Sequence, residues 1–234
     1  MYRAIRFVDR ITDYALLIVF LLLFLIGGYT MYDTMLIYDA AGGDDLRAFR
    51  PNPVGADGEE GYVWDMSALS EDVVAWLTVD DTNIDYPVMQ GIDNSEYLNK
   101  SPFGTFSLAG SIFLDARNAP DFSDSYSLIY GHHMEYGRMF GALDMFLDGE
   151  YFDAHRTATL TVADKVYKIR FFACVEADAS VQEIFAPTET DGTLEYVREH
   201  AVVWRELSGE RLLALSTCKF PQTTDRIIVF GVFE

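Results

Sequence analysis

Apolar and polar positions divide the 234-residue chain into three stretches of different rhythm. The first is an unbroken apolar run: the nineteen positions from 14 to 32 carry no charge and centre on Ala15-Leu-Leu-Ile-Val-Phe-Leu-Leu-Leu-Phe-Leu-Ile26. At about 1.5 Å per residue such a helix is about 28 Å long, close to the hydrocarbon thickness of a bilayer. From Asp39 to about Gly61 the pattern gives way to Gly, Asp and Pro, as in Ala41-Gly-Gly-Asp-Asp45 and Arg50-Pro-Asn-Pro53. That composition predicts a linker or a loosely docked arm. The third stretch is a series of short β-type runs: Ile84 to Met89, Ser111 to Leu114, Tyr126 to Tyr130, Thr157 to Val162, Val166 to Val175, Leu212 to Thr217 and Ile227 to Phe233. Short strands separated by turn residues predict an antiparallel or mixed barrel. Helical spacing interrupts it at Ser70 to Leu77, where Ser67 or Ser70 can cap and Val73, Val74 and Leu77 face inward, with Trp76 expected to pack. It does so again at Gly141 to Leu147, and at Asp191 to Trp204, where Leu194, Val197 and Ala201 share one face.

Charge orients this plan. Arg3, Arg6 and Arg10 precede the apolar run and Asp33, Asp39, Asp44 and Asp45 follow it, so the cationic bias predicts a cytoplasmic N-terminus and an outside C-terminal domain. A cleaved signal peptide is the competing reading, but its apolar core is shorter, and Gly27-Gly-Tyr-Thr30 is a poor cleavage site. The expected organisation is a cytoplasmic stretch at 1–13, a single membrane span at 14–32, an extracytoplasmic linker at 33–66 and a folded domain at 67–234. The net charge of −20, from 37 Asp and Glu against 17 Lys and Arg, argues against nucleic-acid binding, which needs clustered cations. Two cysteines make no disulfide framework, and Cys174, inside Phe171-Phe-Ala-Cys-Val175, reads as a small buried hydrophobe. His132 and His133 are adjacent rather than at the i, i+4 spacing of zinc helices, and no CxxC occurs. Asp80-Asp81 and Asp121-Phe-Ser-Asp124 lack the glycine and terminal Glu of a calcium loop, and there is no phosphate-binding Gly-rich loop. No cofactor is implied.

The chemistry is concentrated at strand ends. Leu213-Ala-Leu-Ser-Thr-Cys218 ends on a lone thiol, Arg226 opens the next β-type run, and Ser127-Leu-Ile-Tyr-Gly-His-His133 ends a third run in two imidazoles. A thiol is mostly protonated at neutral pH, so a nucleophilic Cys218 needs a base or a local positive field. A histidine supplies both and can return its proton to a leaving amine, while Arg226 can hold a carbonyl or the oxyanion that develops on it. Thiol, imidazole and guanidinium are the parts of an acyl-transfer site. A non-catalytic binding domain and a hydrolytic cysteine protease are the rival classes. The residues alone leave His132 and His133 open.

These runs resemble the sortases, and among them class B. The resemblance rests on Leu215-Ser-Thr-Cys218, Tyr130-Gly-His-His-Met134 and Arg226. It extends to Trp76-Leu-Thr-Val79, Asn83-Ile-Asp-Tyr-Pro-Val88 with Gln90, Asn94-Ser-Glu-Tyr-Leu98 and Gly110-Ser-Ile-Phe-Leu-Asp115, so that it covers about Ser67 to Glu234. It implies an eight-stranded sortase-type β-barrel with inserted helices, preceded by a transmembrane helix, with the helix before the Cys strand lying over one wall of the groove. It implies a His132, Cys218 and Arg226 triad in which His132 is the imidazole because it follows the Gly directly. It implies peptide contacts from Asn94, Leu98, Tyr130, Ser216 and Thr217, of which Leu98 and Tyr130 read equally well as packing residues. The implied reaction cleaves a C-terminal sorting motif of a surface protein and transfers the acyl group to an amine of peptidoglycan precursor, or to a pilin lysine. Lys219, directly after the cysteine, departs from class B members that carry an acid there.

Overall fold

The computed structural model describes residues 2–43, 45–54, 61–63, 66–187, 192–206, 209–219 and 223–234. Two compact units result, one ending at Asp39 and one running from Ala40 to Glu234. The first is helix α1 (Tyr2–Ala41) as far as Asp39, whose large apolar side chains are exposed from Tyr2 to Leu36. Its Ile5–Asp39 segment, with a mean hydropathy of 2.3 over its best window, is long and apolar enough to cross a membrane.

The second unit contains β1 (Asn52–Val54), β2 (Gly61–Val63), β3 (Val73–Val79), β4 (Asp85–Met89), β5 (Ile112–Leu114) and β6 (Tyr126–Tyr130). It continues with α2 (Gly149–Ala154), β7 (Thr157–Val162), β8 (Lys165–Asp178), α3 (Gln182–Phe185), α4 (Thr193–His200), β9 (Ala201–Trp204), β10 (Leu212–Cys218) and β11 (Asp225–Phe233). β1 and β2 form a separate two-stranded ribbon. The large sheet runs β11-β10-β6-β5-β4-β3-β7-β8, and a β11–β8 pairing joins its two ends. Closure leaves an eight-stranded barrel, as expected, with β9 added to β8 beyond it. Joining the ends in this way removes the unpaired edges of an open sheet.

The strands that matter for the site are apolar on both faces. Leu213, Leu215, Ile227 and Val229 belong to the interior core, whereas Leu212, Ala214, Ile228 and Phe230 belong to a second buried cluster with Ile184 of α3 and Val197 of α4. Strand side chains alternate sides, so even-numbered positions of β10 and β11 face outward, beneath the helices. Continuous apolar runs such as Leu212 to Leu215 follow from burial on both faces.

Three elements depart from the sequence pattern. Ser70 to Leu77 is not a helix: Val73 onward is strand β3, paired with β4 and β7, and Ser70 bonds Asp72 instead of capping. The β-branched Val73 and Val74 and a buried Trp76, whose Nε1 donates to Asp85 at 2.8 Å, suit a pleated surface. The helix expected from Asp191 to Trp204 stops at His200, because Ala201-Val-Val-Trp204 pairs with Ala173–Val175 as β9; Asp191 lies outside the described residues. In the stretch expected to be a linker, Ala41 and Leu46 are buried in the core, and the Tyr86 hydroxyl donates to the Ala41 carbonyl at 2.9 Å. Positions 44, 55–60 and 64–65 of that stretch lie outside the described residues.

Candidate active site

Three neighbouring strands end together. β10 lies between β6, to which it is parallel, and β11, to which it is antiparallel, with Ser216 opposite Tyr130 and Cys218 opposite Arg226. Directly opposed residues of an antiparallel pair carry Cβ atoms about 4.5–5.5 Å apart on one face of the sheet. Cys218 and Arg226 therefore emerge side by side, on the outward face that α3 and α4 cover further along. Past the end of β6, the Gly131 N–H donates to the Ser216 carbonyl at 3.1 Å and the Thr217 hydroxyl donates to the Gly131 carbonyl at 2.9 Å. These bonds hold the turn that carries the imidazoles against the cysteine strand.

Gly131 is required by close approach: a Cβ there would meet the Phe140 ring at 2.7 Å. Beyond it the two histidines part. His133 Nε2 bonds the Asp144 carboxylate at 2.6 Å, a structural contact, whereas His132 lines the groove and its Nε2 bonds the Leu98 carbonyl at 2.8 Å. A carbonyl only accepts, so Nε2 carries a proton in this contact and Nδ1 is the nitrogen free to exchange one.

The resulting groove has a volume of about 310 Å³ and is open to solvent. All eight residues singled out from the sequence line it: Asn94, Leu98, Tyr130, His132, Ser216, Thr217, Cys218 and Arg226. Cys218 is partly exposed and free, while Cys174 is buried and free, with its thiol pushed far up by desolvation. The Arg226 guanidinium donates to the Thr223 carbonyl at 3.0 Å. It also helps hold nearby Asp178 down to about 2, after the larger effects of the Ser180 and Thr224 hydroxyls. Ser216 is 1% exposed, and its Oγ has no hydrogen-bond partner among the described residues, an orphaned hydroxyl in the groove wall. Lys219 pairs with Glu176 at 2.6 Å.

Four lining residues were not singled out for the site from the sequence: Phe113, Gly131, Ala179 and Phe185. Phe185 belongs to α3, so α3 rather than the longer α4 supplies the helical contribution to this wall, which corrects the expectation for the helix before the Cys strand. Gly131 and Phe113 sit inside quoted motifs, but a four-residue helix leaves almost no periodic signal.

Gly110 supports the site from behind. Its φ is +62°, and a Cβ there would lie 2.6 Å from the Leu98 carbonyl oxygen and 3.0 Å from His132 Cδ2. Gly110→Ala therefore displaces both the imidazole and the carbonyl that anchors it. Steady-state turnover should fall by about tenfold or more, since misplacement of reacting groups by about 1 Å costs that much or greater.

The family model described as the Sortase domain matches residues 77–234. Sortase B of Listeria monocytogenes is 36% identical over 161 residues, which is 66% of this chain and 65%, under two thirds, of that protein. Among solved structures, a Streptococcus pyogenes class B sortase involved in pilus biogenesis superposes with a TM-score of 0.68 at 42% identity, over 73% of this chain and 96% of that one. A Staphylococcus aureus sortase B–substrate complex gives 0.66 at 25% identity, over 72% and 82%.

Proposed function

The chain belongs to the sortase family, with class B relatives, and from that premise we propose that it is a membrane-anchored cysteine transpeptidase acting on sorting-motif proteins outside the cell. The observation that carries this reading is the meeting of Cys218, His132 and Arg226 in one solvent-open groove, from the adjoining ends of three strands. Cys218 attacks the carbonyl carbon of the scissile peptide bond, after Thr, as a thiolate. The oxyanion that forms is held by the guanidinium of Arg226. His132, as imidazolium, gives its proton to the departing amine while the C–N bond breaks, leaving a thioester on Cys218. An incoming amine attacks that thioester and loses a proton to His132. The thiolate departs and the cycle closes on a new amide. Asn94, Leu98, Tyr130, Ser216 and Thr217 line the groove around this centre and bind the peptide. The apolar helix near the N-terminus anchors the chain as residues 14–32, with 1–13 cytoplasmic and the barrel outside, in a Gram-positive-type envelope.

The acceptor amine belongs to peptidoglycan precursor. A pilin lysine is the second reading, favoured by the 42% identity to the streptococcal enzyme involved in pilus biogenesis. Product analysis by mass spectrometry separates them, using the full chain in detergent micelles with a panel of five-residue sorting peptides, peptidoglycan-type peptide amines and lysine peptides. Wild-type protein should give conjugated product with one amine class, and Cys218→Ala should give at least about a thousandfold less, as removal of an enzyme nucleophile does. Cleaved peptide without conjugate would point to a hydrolase. No processing by either protein would point to a binding domain, and equal processing by Cys218→Ala to a nucleophile other than Cys218.

A further inference from the structure

Beneath the groove, unnamed by any role assigned so far, lies a carboxylate with no exposed side-chain surface. Asp115 follows β5, and its carboxylate accepts five hydrogen bonds from three residues. Its Oδ2 takes the Asn94 amide at 2.9 Å, the Tyr130 hydroxyl at 2.9 Å and Arg117 Nη2 at 2.7 Å. Its Oδ1 takes the Arg117 backbone N–H at 2.9 Å and Arg117 Nε at 2.8 Å. Arg117 Nη2 also donates to the carbonyl of Phe185 at 2.7 Å. Asn94, Tyr130 and Phe185 all line the groove.

From this convergence we infer that Asp115 is a positioning residue that fixes the hydrogen-bonding polarity of the peptide-binding wall. The inference rests on the transpeptidase reading of this groove and specifies how that groove receives its substrate. An ionised carboxylate only accepts, so every neighbour must turn a donor toward it. Burial pushes the Asp115 carboxyl up, but the Arg117, Asn94 and Tyr130 donors outweigh that and hold it below the usual carboxylate range. Tyr130 spends its one proton on Asp115, so its oxygen can offer the groove only a lone pair. The Asn94 Oδ1 takes the Ala116 N–H at 2.7 Å, which fixes the amide so that its second Nδ2–H remains to donate. At Tyr130 and Asn94 the wall thus presents an acceptor and a donor in fixed places, a match for the N–H and C=O of an extended peptide backbone. Through Arg117, the same carboxylate also tethers Phe185 on the opposite element.

Asp115→Asn tests this, because it preserves shape and introduces a donor where only acceptors are tolerated. In the full chain in micelles, KM for the sorting peptide should rise about tenfold, the worth of one to two hydrogen bonds. At the same time kcat should stay within about threefold, since Asp115 bonds none of the reacting groups. Peptide affinity measured by calorimetry in the Cys218→Ala background should fall by the same factor. In an Asn94→Ala, Tyr130→Phe background the added loss should shrink below about threefold, because the residues through which Asp115 acts are gone. If Asp115→Asn does not accumulate as folded protein, Arg117→Lys, which frees Phe185 and keeps the carboxylate, should raise KM about threefold. Unchanged KM and affinity would overturn the inference, as would a full tenfold loss persisting in the double-variant background. A parent chain that binds the peptide without forming a thioester would sink the transpeptidase reading and leave the affinity ratio to decide the role of Asp115.

Discussion

His132→Ala should lower kcat for transpeptidation by about a thousandfold, within the span of a lost general acid–base group, while leaving the barrel folded. The imidazole is held by its own bond to the Leu98 carbonyl and by packing against Gly110, and it supports no core contact that the substitution would empty. His133 cannot take over, because it is turned onto Asp144. The loss should therefore appear in the chemical step, read as product formed per unit time at saturating peptide, with the thermal midpoint little changed. His133→Ala is the internal control. It removes an Asp144 partner and should affect stability more than kcat. A fall of less than tenfold for His132→Ala, or a larger fall for His133→Ala, would reverse the assignment of the two imidazoles.

Arg226→Lys should cost about a hundredfold in kcat with a smaller change in KM. Charge is retained, but the planar fork is not, and an ammonium on a flexible stem cannot bond the Thr223 carbonyl and a developing oxyanion in the same geometry. Removing one donor from an oxyanion site costs about 10²–10³ in kcat. Because Arg226 is the cross-strand neighbour of Cys218, its side chain is aimed by the ladder. Single-turnover kinetics would locate the loss in acyl transfer. If Arg226→Lys changes KM alone, the guanidinium binds substrate and does not stabilise the transition state.

Much of the groove's lining was legible in the sequence, for a definite reason. Cys218, Arg226 and Tyr130 sit at strand ends, and the two-residue strand period places the first two on one face once β10 and β11 are taken as neighbours. The sequence runs for those strands fall within a few residues of their observed ends. What failed were places where local pattern and tertiary pairing compete. Val73, Val74 and Leu77 fit a helical template as well as a strand, and only pairing with β4 and β7 decides. Ala201 continues the helical spacing of Leu194 and Val197, yet the next residues pair with β8. The Asp115 network was invisible for another reason. Its members come from separate elements, and nothing in Gly110-Ser-Ile-Phe-Leu-Asp115 says that Asn94, Tyr130 and Arg117 converge on its last residue.

On the proposed reading, one thiol of the two carries the acyl group, beside a groove imidazole and a guanidinium. Peptide mapping of the full chain, acid-quenched during turnover of a sorting peptide with the amine withheld, tests it most directly. The expected result is a single thioester on Cys218, with Cys174 unmodified because it is buried, and discharge of that adduct when the amine is added. Conjugated product accumulating without any adduct on Cys218, or an adduct on Cys174, would contradict the account.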